Sequence, residues 1–177
     1  MGGAGSGQER LELFESAVLP YLDAAYNLAR WLTRDPNDAE DLVQEGMLRA
    51  LTYFDGFHGT DGRAWLLAIV RNSFYTSLRR RQAMGKSEPL DDDLGPADGA
   101  PDSETVLQHR IEVGELGEAI EQLPVTFREV IVLREIEGLS YKEIAEVAGI
   151  PIGTVMSRLA RARGLLKRRL TGAGGGA

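Results

Sequence analysis

The chain has 177 residues, a net charge of −7 and 43% hydrophobic residues, values typical of a soluble globular protein with one ordinary domain or two small ones. It contains no cysteine, which excludes disulfides, thiol redox sensing and cysteine-ligated zinc within this chain. There is no apolar run long enough to span a bilayer and no recognisable signal sequence, so we expect no membrane insertion and a cytoplasmic location.

The acidic net charge hides an uneven distribution. Residues 63–81 contain five arginines and no acid, whereas residues 82–122 contain eleven acids against two bases. Residues 139–170 contain seven bases against two acids. Because electrostatic attraction to nucleic acid comes from local Lys and Arg, these two basic segments are the candidate DNA surfaces.

The pattern predicts an all-α protein with two small helical domains joined by a flexible acidic linker. The first domain is expected at residues 9–82 and the second at residues 104–170. The linker, residues 83–103, combines Gly and Pro with a run of aspartates. The Gly-rich ends, residues 1–8 and 171–177, are expected to be disordered tails.

The first domain should begin with a helical stretch from about Glu9 to Thr33, with a break or kink at Pro20. Asp35 and Pro36 form a good N-cap and first-turn pair, which predicts a second helix to about Phe54. The side of this helix expected to be buried consists of Ala39, Val43, Met47, Ala50 and Phe54. Its outer side would then present Asp38, Asp41, Gln44, Glu45 and Arg49. From composition alone, an ordinary solvated face explains that outer side best.

Three glycines in residues 53–62 predict a loop before a third helix over residues 61–82. The expected buried stripe of this helix consists of Leu66, Ile69, Val70, Ser73 and Phe74. A neighbouring stripe interleaves aromatic and basic side chains, a combination that favours single-stranded DNA. For Trp65 and Tyr75, packing in the core is an equally good explanation. His58 has no partner histidine nearby, so we expect neither a metal site nor any other cofactor.

In the second domain, helices are expected at about residues 103–122 and 125–137, followed by a helix-turn-helix. Ser140 and Glu143 have the spacing of a capping box, and Gly149 suits a left-handed helix end. A second helix is predicted from about Ile152, with an inward side of Val155, Leu159, Ala162 and Leu166. Ile136, with Val130, Ile131 and Leu133, is expected to pack beneath this unit. The outward side carries Thr154, Ser157, Arg158 and Arg161, with Arg163 and Lys167 following, which suits base edges first and phosphates later.

The stretch LPVTFREVIVLREIEGLSYKEIAEVAGIPIGTVMSRLARARGLL resembles region 4 of the extracytoplasmic-function (ECF) sigma factors of bacterial RNA polymerase. DAEDLVQEGMLRAL resembles sigma region 2.2, and RAWLLAIVRNSFYTSLRRR resembles regions 2.3 and 2.4. The resemblance implies three partners: core RNA polymerase, promoter DNA and an anti-sigma factor that holds the protein inactive.

The resemblance also implies three sets of binding residues. Those expected to bind core polymerase are Asp38, Asp41, Leu42, Gln44 and Glu45. Those expected to hold the melted minus-ten strand are Phe57, His58, Asp61, Trp65, Arg71, Asn72, Tyr75, Arg79 and Arg80. Those expected to bind the minus-thirty-five duplex are Thr154, Ser157, Arg158, Arg161, Arg163 and Lys167.

Other functions fit less well. An enzyme is disfavoured because the sequence has no Gly-rich phosphate loop, no histidine cluster and no cysteine. A conventional helix-turn-helix regulator would not need the aromatic and basic helix before the linker. A sigma mimic that only sequesters an anti-sigma factor would not need the arginines of the last helix.

Overall fold

A computed structural model describes residues 3–86 and 113–173, and this part of the chain is helical without a strand. Its helices are α1 (Gly3–Val18), α2 (Leu22–Thr33), α3 (Pro36–Tyr53), α4 (Gly62–Ala83), α5 (Val113–Glu121), α6 (Val125–Ile131), α7 (Tyr141–Ala148) and α8 (Ile152–Ala173). Short 3₁₀ turns occupy Leu19–Tyr21 and Phe54–Gly56, and a π-helical turn occupies Val132–Ile136. The chain forms two compact units, an N-terminal one with α1 to α4 and a C-terminal one with α5, α6, most of α7 and α8. This confirms the predicted all-α fold.

The ends of the helices follow local chemistry that the sequence predicted. The Asp35 carboxylate accepts hydrogen bonds from the backbone N–H groups of Asn37 and Asp38, at 2.8 and 2.9 Å, and so caps α3. Ser140 and Glu143 form the complete capping box of α7, and Gly149 ends that helix at φ 65°. The predicted break at Pro20 is the 3₁₀ turn between α1 and α2.

The N-terminal end differs from the prediction. Residues 3–8 belong to α1 rather than to a disordered tail. The reason is a long-range anchor, because Arg10 donates hydrogen bonds to the carboxylate of Asp55 and to the carbonyl of Leu51. Once part of a helix is anchored, each further residue is added without the cost of a new nucleus.

The other predicted boundaries are tested only in part. Residues 171–173 extend α8, so the predicted C-terminal tail begins as helix. Ala83 is the last residue of α4. Most of the predicted linker, residues 87–103, lies outside the described residues, as does the expected start of the second domain at residue 104.

The N-terminal unit has one apolar core between its four helices. Its buried members include Phe14 and Val18 of α1, Ala25 and Ala29 of α2, Leu42 and Val43 of α3, and Leu66 and Val70 of α4. Two glycines allow helices to approach closely. A Cβ at Gly46 would lie 2.9 Å from Val70 Cγ2, and one at Gly62 would lie 1.9 Å from the carbonyl oxygen of Ala17. The start of α4 therefore rests directly on the end of α1.

In the C-terminal unit, α5 and α6 both pack against α8. The predicted inward residues of α8 (Val155, Leu159, Ala162 and Leu166) are all buried. Ile136 differs from the prediction, because it is 42% exposed rather than packed beneath the helix-turn-helix. It lies at the end of the π-helical turn, whose wider winding shifts the register of the side chains after Ile131.

Candidate nucleic-acid interfaces

The outer face of α8 is a continuous polar surface. With about 100° of rotation per residue, Thr154, Ser157, Arg158 and Arg161 fall within about 100° of one another, on the side away from the buried stripe. These four side chains are partly exposed. Ser157 donates a hydrogen bond to the carbonyl of Thr154 at 3.1 Å, which leaves its hydroxyl lone pairs able to accept. The face can therefore offer both donors and acceptors to base edges in a major groove.

Arg163, which was expected to follow this face toward the C-terminus as a minus-thirty-five contact, lies on a different side of α8. It lies two residue steps after Arg161, which corresponds to about 200° of rotation around the helix. Its guanidinium donates to Glu135 Oε1 from two nitrogens, at 2.7 and 3.2 Å. Burial disfavours the charged form of Arg163, but hydrogen bonds to Glu135 and Tyr141 outweigh that effect and raise its pKa. Lys167 is exposed further along α8 and stays a candidate for a phosphate contact.

The second basic surface lies along α4. Asn72, Arg79 and Arg80 are exposed, as the sequence predicted. Arg71 is partly buried, with its guanidinium 3.3 Å from the Asn72 side-chain oxygen. Arg81 lies 3.9 Å from the Asp38 carboxylate at the start of α3. The exposed cations of α4 thus concentrate in its last two turns.

Tyr75, which was expected among the residues that hold the minus-ten strand, is buried. Its side chain is only 4% exposed, so its ring is not part of an open stacking surface. The Arg71 guanidinium covers the ring at 4.4 Å from its centroid, and Phe74 meets it edge-on at 5.2 Å. Core packing, the alternative that the sequence left open, describes Tyr75 correctly.

The loop before α4 is built on aromatic contacts. Phe57 and Trp65 lie 4.8 Å apart between ring centroids, and both contact Phe54, which is buried. His58 is exposed beside them. Asp61 caps α4 by accepting from the Ala64 N–H at 3.0 Å, so its carboxylate has a structural role. Two half-buried rings and an exposed imidazole therefore lie next to the exposed polar face of α4.

A third surface lies on α3. Asp41 and Gln44 are exposed, and Glu45 pairs with Arg49 at 2.6 Å. Leu42, which the resemblance placed among the core polymerase contacts, is buried at 6% exposure. It lies one helical turn from Ala39 and from Gly46, both buried, so it extends the inner stripe.

Sequence reasoning missed Leu48, which is 67% exposed on the outer face of α3. Leu48 lies seven residues after Asp41, which places it on the same side of the helix. An apolar residue at the helical spacing of a polar face was the signal that could have revealed it. An exposed leucine on an otherwise polar face is typical of a protein contact surface.

Within residues 3–86 and 113–173, no three His, Asp or Glu side chains come together as a metal site would require. None of the helices in this part of the chain is both long and apolar enough to cross a membrane.

Comparison with known proteins assigns both units. The model of sigma-70 region 2 matches residues 17–84, and that of sigma-70 region 4 matches residues 114–166. The chain thus combines the two modules of a sigma-70-type transcription initiation factor, each matched by one unit of the fold. Three proteins of similar sequence show to which group of sigma factors the chain belongs.

The chain is 34% identical to the ECF RNA polymerase sigma factor SigE of Mycolicibacterium smegmatis, over 90% of this chain and 62% of that protein. It is 34% identical to the ECF RNA polymerase sigma factor EcfG of Rhodopseudomonas palustris, over 87% and 81% of the two chains. It is 33% identical to the ECF RNA polymerase sigma-E factor of Haemophilus influenzae, over 81% and 79%. The chain therefore belongs to the ECF sigma factors, which confirms the resemblance seen in its motifs.

Two solved structures are similar as well. The sigma factor RpoE in complex with the anti-sigma factor NepR from Bartonella quintana has a TM-score of 0.69 and 31% identity, over 89% of this chain and 96% of that one. CnrH in complex with the cytosolic domain of CnrY has a TM-score of 0.62 and 25% identity, over 92% and 90%.

Proposed function

We propose that this ECF sigma factor directs promoter-specific initiation through three separate surfaces. The outer face of α3 binds core RNA polymerase, α4 with its preceding loop holds the melted minus-ten strand, and α8 reads the minus-thirty-five duplex. Bond-making chemistry belongs to the polymerase, and the chain itself is no enzyme. The site of action is the cytoplasm, where bacterial polymerase meets the chromosome.

The observation that carries the proposal is the outer face of α8. Four of its polar side chains (Thr154, Ser157, Arg158 and Arg161) share one arc, while the opposite stripe is fully buried. A major groove admits one α-helix, and Arg can bond guanine with two hydrogen bonds. Lys167, exposed nearer the C-terminal end, would meet a phosphate and fix the helix in its register.

Support for strand binding comes from the pairing of aromatic and basic groups in the N-terminal unit. The Phe57 and Trp65 rings stand at the start of α4, whereas Arg79 and Arg80 are exposed near its end. Unpaired bases stack on aromatic rings, and cations follow the backbone of the same strand. Asn72 lies between these groups and is exposed for hydrogen bonding to a base edge.

Support for polymerase docking comes from the mixed chemistry of the α3 face. Asp41 and Gln44 are exposed on the same side of α3 as the exposed Leu48, and Glu45 adds a second carboxylate. Acidic groups steer association with a basic partner, and a buried apolar side chain supplies most of the affinity. Asp38 contributes less, since it lies near Arg81.

We also infer control by an anti-sigma factor. RpoE of Bartonella quintana and CnrH were each solved with a bound partner, and NepR, the partner of RpoE, is an anti-sigma factor. This chain is similar to both over most of its length. A partner that covers the α3 face or the α8 face would block polymerase or promoter.

The direct test is run-off transcription with purified core polymerase on DNA of the bacterium that encodes the chain. The proposal predicts transcripts that start at a small set of sites sharing two promoter elements. Arg161→Ala should reduce these transcripts without preventing binding of the chain to core polymerase. Transcripts that are absent with the wild-type chain would exclude the proposal. Duplex binding without any core association would favour a conventional helix-turn-helix regulator instead.

A further inference from the structure

A cluster of four side chains connects the π-helical turn, α7 and α8 in the C-terminal unit. It lies on a side of α8 away from the outer face. Glu135 comes from the π-helical turn, Tyr141 from the start of α7 and Arg163 from α8. Arg134, also in the π-helical turn, covers the Tyr141 ring at 4.9 Å from its centroid. Hereafter these four residues are called the polar clamp.

The contacts of the polar clamp are specific. Arg163 donates to Glu135 Oε1 from two nitrogens, at 3.2 and 2.7 Å. Arg134 donates to the Leu139 carbonyl at 2.9 Å, in the turn that leads into α7. The Arg163 and Glu135 side chains are 24% and 32% exposed, so solvent screens this pair less than a surface pair.

The location of the clamp argues against a direct DNA contact for Arg163. Two helical steps, about 200° of rotation, separate Arg163 from Arg161, so Arg163 does not face the base edges that Arg161 would reach. Two nitrogens of the Arg163 guanidinium also already donate to the Glu135 carboxylate. Releasing it to a phosphate would leave Glu135 without its partner.

We propose that Arg163 is a positioning residue for minus-thirty-five recognition, holding α8 at the angle to the π-helical turn that places Ser157, Arg158 and Arg161 in the groove. The inference rests on the proposed function, because it presumes that α8 reads the duplex. In this proposal the π-helical turn orients the Glu135 side chain toward α8. Such turns frequently occur at functional sites.

The direction in which Glu135→Gln changes duplex affinity distinguishes a positioning role of Arg163 from a direct DNA contact. Glu135→Gln removes the charge that holds Arg163 but leaves every residue of the outer face in place. If Arg163 positions α8, the full chain bound to core polymerase should bind a minus-thirty-five duplex about fivefold more weakly. If Arg163 contacts DNA, loss of the competing carboxylate should leave binding unchanged or tighten it, which would overturn the proposal. Glu118→Gln, at an exposed acid on α5, is the matched control for loss of one negative charge.

Two further readouts distinguish positioning from simple stability. The ratio of binding to matched and mismatched duplexes should fall in Glu135→Gln, whereas the slope of log affinity against log salt should stay that of the wild-type chain. For Arg163→Gln the same pattern is expected, and a slope reduced by about one would reveal a phosphate contact. Tyr141→Phe, which removes one oxygen only, should show the same trend at about twofold.

The reciprocal exchange Glu135→Arg with Arg163→Glu provides a rescue. A positioning pair works in either orientation, so the double variant should recover most of the affinity lost by each single change. A glutamate at a true phosphate contact would repel DNA, so failure to recover would contradict the proposal. The wild-type measurement tests the proposed function separately. If wild-type holoenzyme shows no preference for any duplex, the proposed function is wrong, whatever the variants do.

Discussion

The two long helices α4 and α8 each have 22 residues and several arginines, yet they present very different surfaces. α8 has no aromatic residue, one regular buried stripe and a continuous polar outer face. α4 carries Trp65, Phe74 and Tyr75 and buries residues on more than one side, including Leu67 and Tyr75. Under the proposed function, basic residues alone would therefore not define the kind of DNA bound. The aromatic residues of α4 and its burial on more than one side are the features that would distinguish the proposed strand-binding surface from the proposed duplex-reading one.

The largest expected effect is on stability, and it differs between a glycine of α4 and a glycine of α8. Gly62→Ala would bring a Cβ within 1.9 Å of the Ala17 carbonyl oxygen, whereas Gly153→Ala meets nothing within 4 Å. Gly62→Ala should destabilise the N-terminal unit by about 3 kcal/mol. Gly153→Ala should be neutral or stabilise α8 by up to about 1 kcal/mol. Urea unfolding followed by tryptophan fluorescence measures the N-terminal unit specifically, since the two tryptophans of the chain, Trp31 and Trp65, both lie there.

The Gly153→Ala variant requires a second probe, because α8 contains no tryptophan. Far-UV circular dichroism of the full chain reports on both units together. Equal destabilisation by the two glycine variants would mean that α4 does not rest on α1 as described.

The next effect concerns sequence reading by α8. Arg161→Ala should cost about 1 to 3 kcal/mol at one base step of the minus-thirty-five element, because a bidentate contact to guanine is lost. Competition binding of holoenzyme to a set of single-base duplex variants measures it. Arg169→Ala is the matched control, since Arg169 donates to Gln122 at 2.9 Å. Equal weakening on every duplex would reduce Arg161 to a phosphate contact.

A smaller effect is expected on the α3 face. Leu48→Ala should weaken association with core polymerase by about 1 kcal/mol, without a change in urea midpoint. Leu13→Ala is the control, because Leu13 is similarly exposed, at 62%, but lies on α1. Leu42→Ala should instead lower the urea midpoint, as its side chain is buried. Core affinity unchanged in Leu48→Ala would remove this leucine from the docking surface.

The smallest effect is electrostatic. Arg79→Ala should reduce the slope of log affinity against log salt by about 0.7 for a single-stranded minus-ten oligonucleotide. Arg81→Ala should reduce it less, because Arg81 lies near Asp38. Salt titration of holoenzyme on that oligonucleotide compares the two. A larger change for Arg81 than for Arg79 would reverse the assignment of the exposed cations.

The sequence predicted most of what depends on local chemistry. The cap at Asp35, the capping box at Ser140, the left-handed Gly149 and the regular inner stripe of α8 all follow from spacing and propensity. The structure differs where a distant partner decides the outcome. Arg10 anchors α1 through Asp55, 45 residues away, and Glu135 binds Arg163, 28 residues away, and no local pattern contains those pairings.

Residues at the border between two helix faces were also hard to place. Leu42 and Tyr75 lie at the border of a buried stripe, where the helical periodicity of the sequence does not predict whether a side chain is buried or exposed. Leu48 was missed for the opposite reason, because apolar residues on an otherwise polar face are common by chance. The tertiary contacts of α3 and α4 decide these cases.

The central claim is that α8 and α4 bind different forms of promoter DNA. Holoenzyme binding to a minus-thirty-five duplex and to a minus-ten single strand, measured side by side for Arg161→Ala and Arg79→Ala, tests it most directly. The account predicts that Arg161→Ala weakens only duplex binding and that Arg79→Ala weakens only strand binding. If either variant weakened both equally, the division of labour between the two helices would be contradicted.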